Sequence, residues 1–161
     1  MNTLDRLLNY LQRMNCLYEH DRHALAYTAR EVAHAEHIPE RTFVKTVVVH
    51  SETGFAMAAL PANMKVDLEE LRETFGFHRL RLATESEMQE LFPDCELGAM
   101  PPFGNGTLFE LPVYADARIL KEPEIAFNGG THRDVVRMKA VEWQALVKPS
   151  VVELARAVGA E

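Results

Sequence analysis

Three stretches of this 161-residue chain carry residue types that can act on an anionic or polarised group. The first is Lys45, set inside the apolar run 43–50. Strand alternation puts Phe43, Lys45, Val47 and Val49 on one face and Val44, Thr46, Val48 and His50 on the other, so neither face is one where a lysine is expected. An unpaired ammonium among apolar neighbours is costly. Lys45 therefore either reaches outward to water along its aliphatic stem, or is a cation held ready for an anionic or polarised group. The second stretch is Gly98-Ala99-Met100-Pro101-Pro102. Proline fixes the backbone and removes donors, and glycine permits close approach, so the amides of Gly98, Ala99 and Met100 can be aimed at one point. That arrangement suits a carbonyl oxygen or an oxyanion. The same composition also suits a plain rigid connector. The third is Asn128-Gly129-Gly130-Thr131-His132. Two glycines allow a tight turn with exposed backbone, and His132 can donate or accept a hydrogen bond near neutral pH. An ordinary hairpin turn has the same look.

Other chemistries are weaker. His20 with His23, and His34 with His37, have turn or helical spacing, but no suitably spaced acid or cysteine pair completes a metal set. No metal and no cofactor is expected. Cys95 lies just ahead of the 98–102 loop, but no histidine partner is specified, and a small buried residue is the better reading. Walker, dinucleotide-binding and nucleophile-elbow motifs are absent.

The elements that must position these residues follow from periodicity and caps. Leu4, Leu7, Leu8, Leu11 and Met14 share a helical face, which predicts a helix over 3–15. Residues 18–27 read as an extended connection, with room for a short strand. Thr28 and Glu31 form a capping-box pattern for a short helix ending near His37. The apolar run 43–50 reads as a buried strand, and 54–60 as its hairpin partner. Asp67 and Glu70 start a helix through Phe75, which Gly76 caps. A short strand over 79–82 precedes a second capping box, Thr84 with Glu87, and a helix to Leu91. Residues 97–106 form a shaped loop. Strands are expected over 107–114, 117–120, 125–128 and 134–138, and helices over 140–147 and 151–158. Short strands interrupted by helices in irregular order imply an α+β fold around a mixed sheet or partly closed barrel.

Composition sets the outer limits. Hydrophobic residues are 47% and charged residues 25% of the chain, which fits one soluble domain spanning residues 1–161. The formal net charge is −7, which argues against a nucleic-acid coat protein but leaves room for an enzyme that touches only the end of an RNA. Two cysteines outside any CxxC motif make no disulfide framework. No signal peptide or membrane span is expected, and the protein reads as cytoplasmic, with no membrane or DNA partner.

Taken together, the blocks are more specific than any one of them. Phe43-Val44-Lys45-Thr46-Val47-Val48-Val49, Ala58-Ala59-Leu60-Pro61, Gly98-Ala99-Met100-Pro101-Pro102-Phe103-Gly104 and Phe127-Asn128-Gly129-Gly130-Thr131-His132 occur in an order that resembles the YbaK-like aminoacyl-tRNA deacylase family. The resemblance runs from about Thr28 to Pro149. It implies a mixed, mostly antiparallel sheet curled into a partial barrel and surrounded by helices. It also implies cleavage of the ester between a wrong amino acid and tRNA, the tRNA being tRNA-Pro or a related one carrying a small residue. By the same resemblance Lys45 lies beside the terminal adenosine and its ester, Gly98 and Pro102 end a loop whose amides hold the aminoacyl carbonyl, and Gly129 and His132 line the pocket. Lys45, Gly98 and His132 are the catalytic candidates. Thr46, Ala99, Met100, Pro101, Pro102, Gly129, Gly130 and Thr131 are the substrate-binding candidates. The expected partners are the tRNA acceptor end and an aminoacyl-tRNA synthetase. Two other readings stand beside this one: a non-catalytic module that binds a tRNA end or nucleotide together with a synthetase, and a hydrolase of some other small acyl ester.

Overall fold

The computed structural model describes residues 1–23 and 26–158, and the structure of the remaining five residues is left aside. Helix α1 (Thr3–Arg13) is capped by Asn2, whose side chain accepts from the Asp5 amide. Its stripe ends in Leu7 and Leu11, both fully buried, each contributing about 1.5–3 kcal/mol of burial. Strand β1 (Tyr18–Arg22) follows, then helix α2 (Ala29–Ala35), capped by Thr28. This helix stops two residues short of His37, which takes a positive φ of 56°.

The hairpin is as expected. Strands β2 (Val44–Ser51) and β3 (Gly54–Pro61) pair antiparallel, with Lys45 opposite Leu60 and Thr46 opposite Ala59. A strand β4 (Met64–Val66) then leads into helix α3 (Leu68–Phe75), with Asp67 at its start and Gly76, in the left-handed region, at its end. Strand β5 (Leu80–Leu82) and helix α4 (Glu85–Leu91) come next, and Thr84 with Glu87 closes a complete capping box.

Three expectations fail beyond this point. The strand expected over 107–114 is only β6 (Val113–Asp116), because the amides of Leu108 and Phe109 turn back onto the Phe103 carbonyl. The strand expected over 117–120 is a 3-10 turn (Ala117–Lys121), since Asp116 accepts from the Arg118 amide and starts a coil. The last helix does not form. Strands β9 (Ser150–Val152) and β10 (Ala155–Ala157) take its place, because the amides of Leu154 and Ala155 both donate to the buried carboxylate of Asp116. Between these segments lie β7 (Glu124–Asn128), β8 (Asp134–Lys139) and helix α5 (Ala140–Val147), all close to expectation.

The fold is a mixed α+β arrangement. A five-stranded sheet runs β5-β2-β3-β6-β9, antiparallel through β3 and parallel after it, and an antiparallel sheet runs β1-β8-β7. A parallel bridge between Phe43 and Ala126 joins the two at the start of β2, so the sheets curl toward a barrel that does not close. The inner faces meet in the main core, to which β2 contributes Val44 and Val48, β7 Ile125 and Phe127, and β8 Val136 and Met138. A second, smaller core lies on the outer side of the β2–β7 seam. There Val32 and Ala33 of α2 cover Phe43, Ala126 and Val135. No helix among the described residues is long and apolar enough to cross a membrane.

Candidate functional site

The β2–β7 seam decides where Lys45 goes. Lys45 shares its strand face with Phe43, which belongs to the core under α2, and with Val49, which packs with Leu60 and Leu71 in a third cluster. It thus sits where one small core gives way to the next, only partly exposed. Among the described residues its ammonium has neither a hydrogen bond nor an ion pair. Burial pushes its pKa down, and the nearby Arg30 charge on α2 adds to the shift. Thr46 points to the opposite face, between Val44 and Val48 of the main core. Alternation therefore separates Thr46 from Lys45 across the strand. Its Oγ1 is buried and unpartnered.

The 98–102 loop is held almost entirely through its carbonyls. The Leu97 carbonyl accepts from His132 Nε2 at 2.7 Å, the Ala99 carbonyl from the Gly130 amide at 2.9 Å, and the Pro102 carbonyl from Trp143 Nε1 at 3.0 Å. Trp143 is fully buried, so that end of the loop is pinned to the core by α5. Pro101 accepts from the Phe103 amide. Ala99 is engaged at its amide as well as its carbonyl. Its amide donates to the Glu96 carbonyl at 3.0 Å, closing a turn, and cannot also hold a substrate oxygen. The amides of Gly98 and Met100 make no hydrogen bond among the described residues, so the free donors of the loop are these two. Gly98 has φ +83°, and a Cβ built on it would lie 3.7 Å from His132 Cε1, so the loop and the histidine ring face one another.

The 128–134 turn is built with equal care. Gly129 donates to the Asp134 carbonyl, and Gly130, at φ +97°, would carry a Cβ 3.0 Å from Thr3 at the start of α1. Thr131 Oγ1 accepts from the amides of Arg133 and Asp134 and donates to Asp134 Oδ2 at 2.6 Å. The other Asp134 oxygen accepts from His20 Nε2 at 2.8 Å. Asp134 is buried; burial raises its pKa, but the hydrogen bonds from Thr131 and His20 outweigh that and hold the carboxyl below its usual range. His132 is tied to the preceding loop twice, since its amide also donates to Glu96 Oε1 at 2.9 Å. Its ring lies 5.9 Å from that of the exposed Tyr27, which leads into α2.

Three of the predicted blocks therefore meet around the N-terminal end of α2. Lys45 lies near Arg30, His132 near Tyr27, and Gly98 against His132. Of the predicted residues, Thr46 falls on the other face of β2, Thr131 is engaged with Asp134, and Gly129 and Gly130 shape the turn. Asp134 and Glu96 are not among the residues the sequence singles out, while Asn128 enters only as the first residue of its block and His20 only as half of a metal-spaced pair. Asn128 was visible as the last strand residue before the glycines. Asp134 gave a weaker signal, an acid three residues past a threonine. Glu96 gave none, and the spacing of His20 to His23 pointed elsewhere, because the partners of both are distant in sequence. Of the two histidine pairs, His20 binds Asp134 and His34 binds Glu40. No group of three metal-ligating side chains occurs among the described residues, and both cysteines are free.

Residues 23–146 match the family described as the aminoacyl-tRNA editing domain. A relative in Escherichia coli (strain K12), described as a multifunctional Ser/Thr-tRNA deacylase, ProXp-y, is 33% identical over 101 residues, covering 62% of this chain and 59% of that protein. The chain thus aligns with about three-fifths of the length of that curated relative. A proline–tRNA ligase of Thermosipho africanus (strain TCF52B) is 31% identical over 77 residues, 48% of this chain and 14% of the ligase. A solved structure assigned as a candidate trans-editing enzyme for prolyl-tRNA synthetase superposes with a TM-score of 0.82 at 28% identity, covering 96% of this chain and 98% of the other.

Proposed function

We propose, on the premise that this chain belongs to the aminoacyl-tRNA editing domain family, that it is an aminoacyl-tRNA deacylase acting in trans. It hydrolyses the ester of a tRNA carrying a small wrong amino acid. Serine and threonine are the residues named for the Escherichia coli relative, and tRNA-Pro is the tRNA that the ligase and trans-editing relatives suggest. The observation that carries this reading is a partly buried lysine without a counter-ion on the same side of the fold as a loop held by its carbonyls, with the Gly98 and Met100 amides left over.

The chemistry asks little more. An aminoacyl ester is already activated, so the protein must orient it and stabilise charge on the carbonyl oxygen. In this reading the amides of Gly98 and Met100 receive that oxygen, and the Lys45 ammonium neutralises a terminal phosphate or polarises the ester. His132 shapes the pocket opposite Gly98. The editing unit spans the whole chain, works in the cytoplasm, and engages the acceptor end of tRNA. A synthetase partner supplies RNA affinity that an acidic protein lacks.

A panel of mischarged tRNAs tests this directly. Wild type is expected to deacylate at least one, and Lys45→Ala to lose about 100-fold or more in kcat/KM while staying folded, as befits loss of a transition-state charge partner. Tight binding of charged tRNA with no release of amino acid at high enzyme concentration would refute it.

A further inference from the structure

Among the described residues Asn128 Oδ1 and His132 Nδ1 are buried side-chain atoms with no hydrogen-bond partner, as is Thr46 Oγ1 on the opposite face of β2. Buried polar groups are otherwise paired almost without exception, so orphans that share one side of the fold ask for a ligand. Their polarity can be worked out. The Leu97 carbonyl only accepts, so His132 Nε2, 2.7 Å away, carries the hydrogen. In the neutral ring Nδ1 is then a bare acceptor. The Asn128 oxygen is an acceptor as well.

Asn128 and His132 open on the same side. Asn128 shares its face of β7 with Ala126, in the core under α2, and pairs across to Val135 of that same core. The parallel bridge from Phe43 to Ala126 sets Lys45 abreast of Asn128, two residues further along each strand. His132 reaches that side through its contact with Tyr27. On the deacylase reading the site divides into donors, namely Lys45 and the Gly98 and Met100 amides, and acceptors, namely Asn128 Oδ1 and His132 Nδ1. The donors suffice for an ester carbonyl or phosphate. The acceptors have nothing to do until a ligand brings an O–H or N–H.

We infer that Asn128, seconded by His132, is the residue that selects a hydroxyl-bearing amino acid by accepting a hydrogen bond from its side chain. This rests on the deacylase reading above. A buried acceptor left empty by an apolar side chain penalises that substrate, which is a stronger filter than pocket size.

Threonine and valine differ by one hydroxyl for one methyl, and serine and alanine by one hydroxyl, so rates on tRNA charged with each of the four isolate the effect. Wild type is expected to favour threonine over valine, and serine over alanine, by at least about tenfold. Asn128→Leu, checked for folding by its melting temperature, is expected to bring both ratios close to one, whereas Asn128→Asp, which keeps the acceptor, preserves them. Ratios that persist in Asn128→Leu would overturn the inference. A proportional loss on all four substrates would do so too, since it means the acceptor serves the shared ammonium or the fold. If Asn128→Leu does not fold, the wild-type ratios still decide: equal rates on threonine and valine refute the inference and leave the deacylase reading intact. No cleavage of any of the four, or of any other mischarged tRNA, sinks both.

Discussion

Two buried polar clusters flank the turn that carries His132, and they are finished to different degrees. On the main-core side Asp134, Thr131 and His20 satisfy one another, and both backbone amides that reach Thr131 are accounted for. On the α2 side Lys45, Asn128 Oδ1 and His132 Nδ1 are left without partners. The first cluster has the character of scaffold, since every donor meets an acceptor and the arrangement is lost if one member goes. The second carries a desolvation cost with no return inside the protein, which is the mark of groups kept for something that arrives from outside.

Mutation separates the two. Lys45→Met is expected to lose deacylation about 100-fold or more and yet to raise the melting temperature by a few degrees, because it removes a partly desolvated charge that nothing compensates. The pH sense follows. The folded pKa of Lys45 is depressed, so the folded state binds its proton less well than the unfolded state. The wild type therefore gains stability as pH rises through the folded pKa toward the unfolded value, and Lys45→Met does not. A fall in melting temperature in the variant would place Lys45 with the scaffold.

Asp134→Asn is expected to do the reverse, losing about 1–3 kcal/mol of stability by thermal melting because a buried, charge-assisted network is broken. Activity follows by about 10–100-fold as the turn that presents His132 loosens. Here the folded pKa lies below the unfolded one, so the contribution is present above the unfolded value and is lost as pH falls through the folded value. Acid melts of wild type and Asp134→Asn should converge at low pH.

The smallest effect is expected from Arg30→Ala. Arg30 helps hold the Lys45 pKa down, so its removal should move the alkaline limb of the pH–rate profile upward with little change at neutral pH. A limb that stays in place would detach Lys45 from the titration.

Legibility in the sequence followed the range of the interactions. The Thr84–Glu87 capping box is a matter of three residues and was readable as such, as was the Gly76 cap. The β2–β3 hairpin was readable too, because its turn and its partner strand are adjacent. The failures have distant causes. Val151, Val152, Leu154, Ala155 and Val158 mimic helical spacing, but the segment is claimed by Asp116 and by β4, which lie 38 or more residues earlier in the chain. At the site, the three blocks could be named from their composition and order. The faces they show could be named only in part. Alternation alone separates Lys45 from Thr46, but that the Ala99 amide is consumed by Glu96, and that Asn128 Oδ1 has no partner, depends on contacts no local pattern contains.

The bond between His132 Nε2 and the Leu97 carbonyl has a further consequence. Nε2 is fixed as the donor, so Nδ1 is the ring nitrogen left to face a ligand, and the ring cannot flip without breaking the anchor. The ring keeps one orientation. Whatever chemistry passes through Nδ1 then needs no rearrangement of the side chain between one turnover and the next.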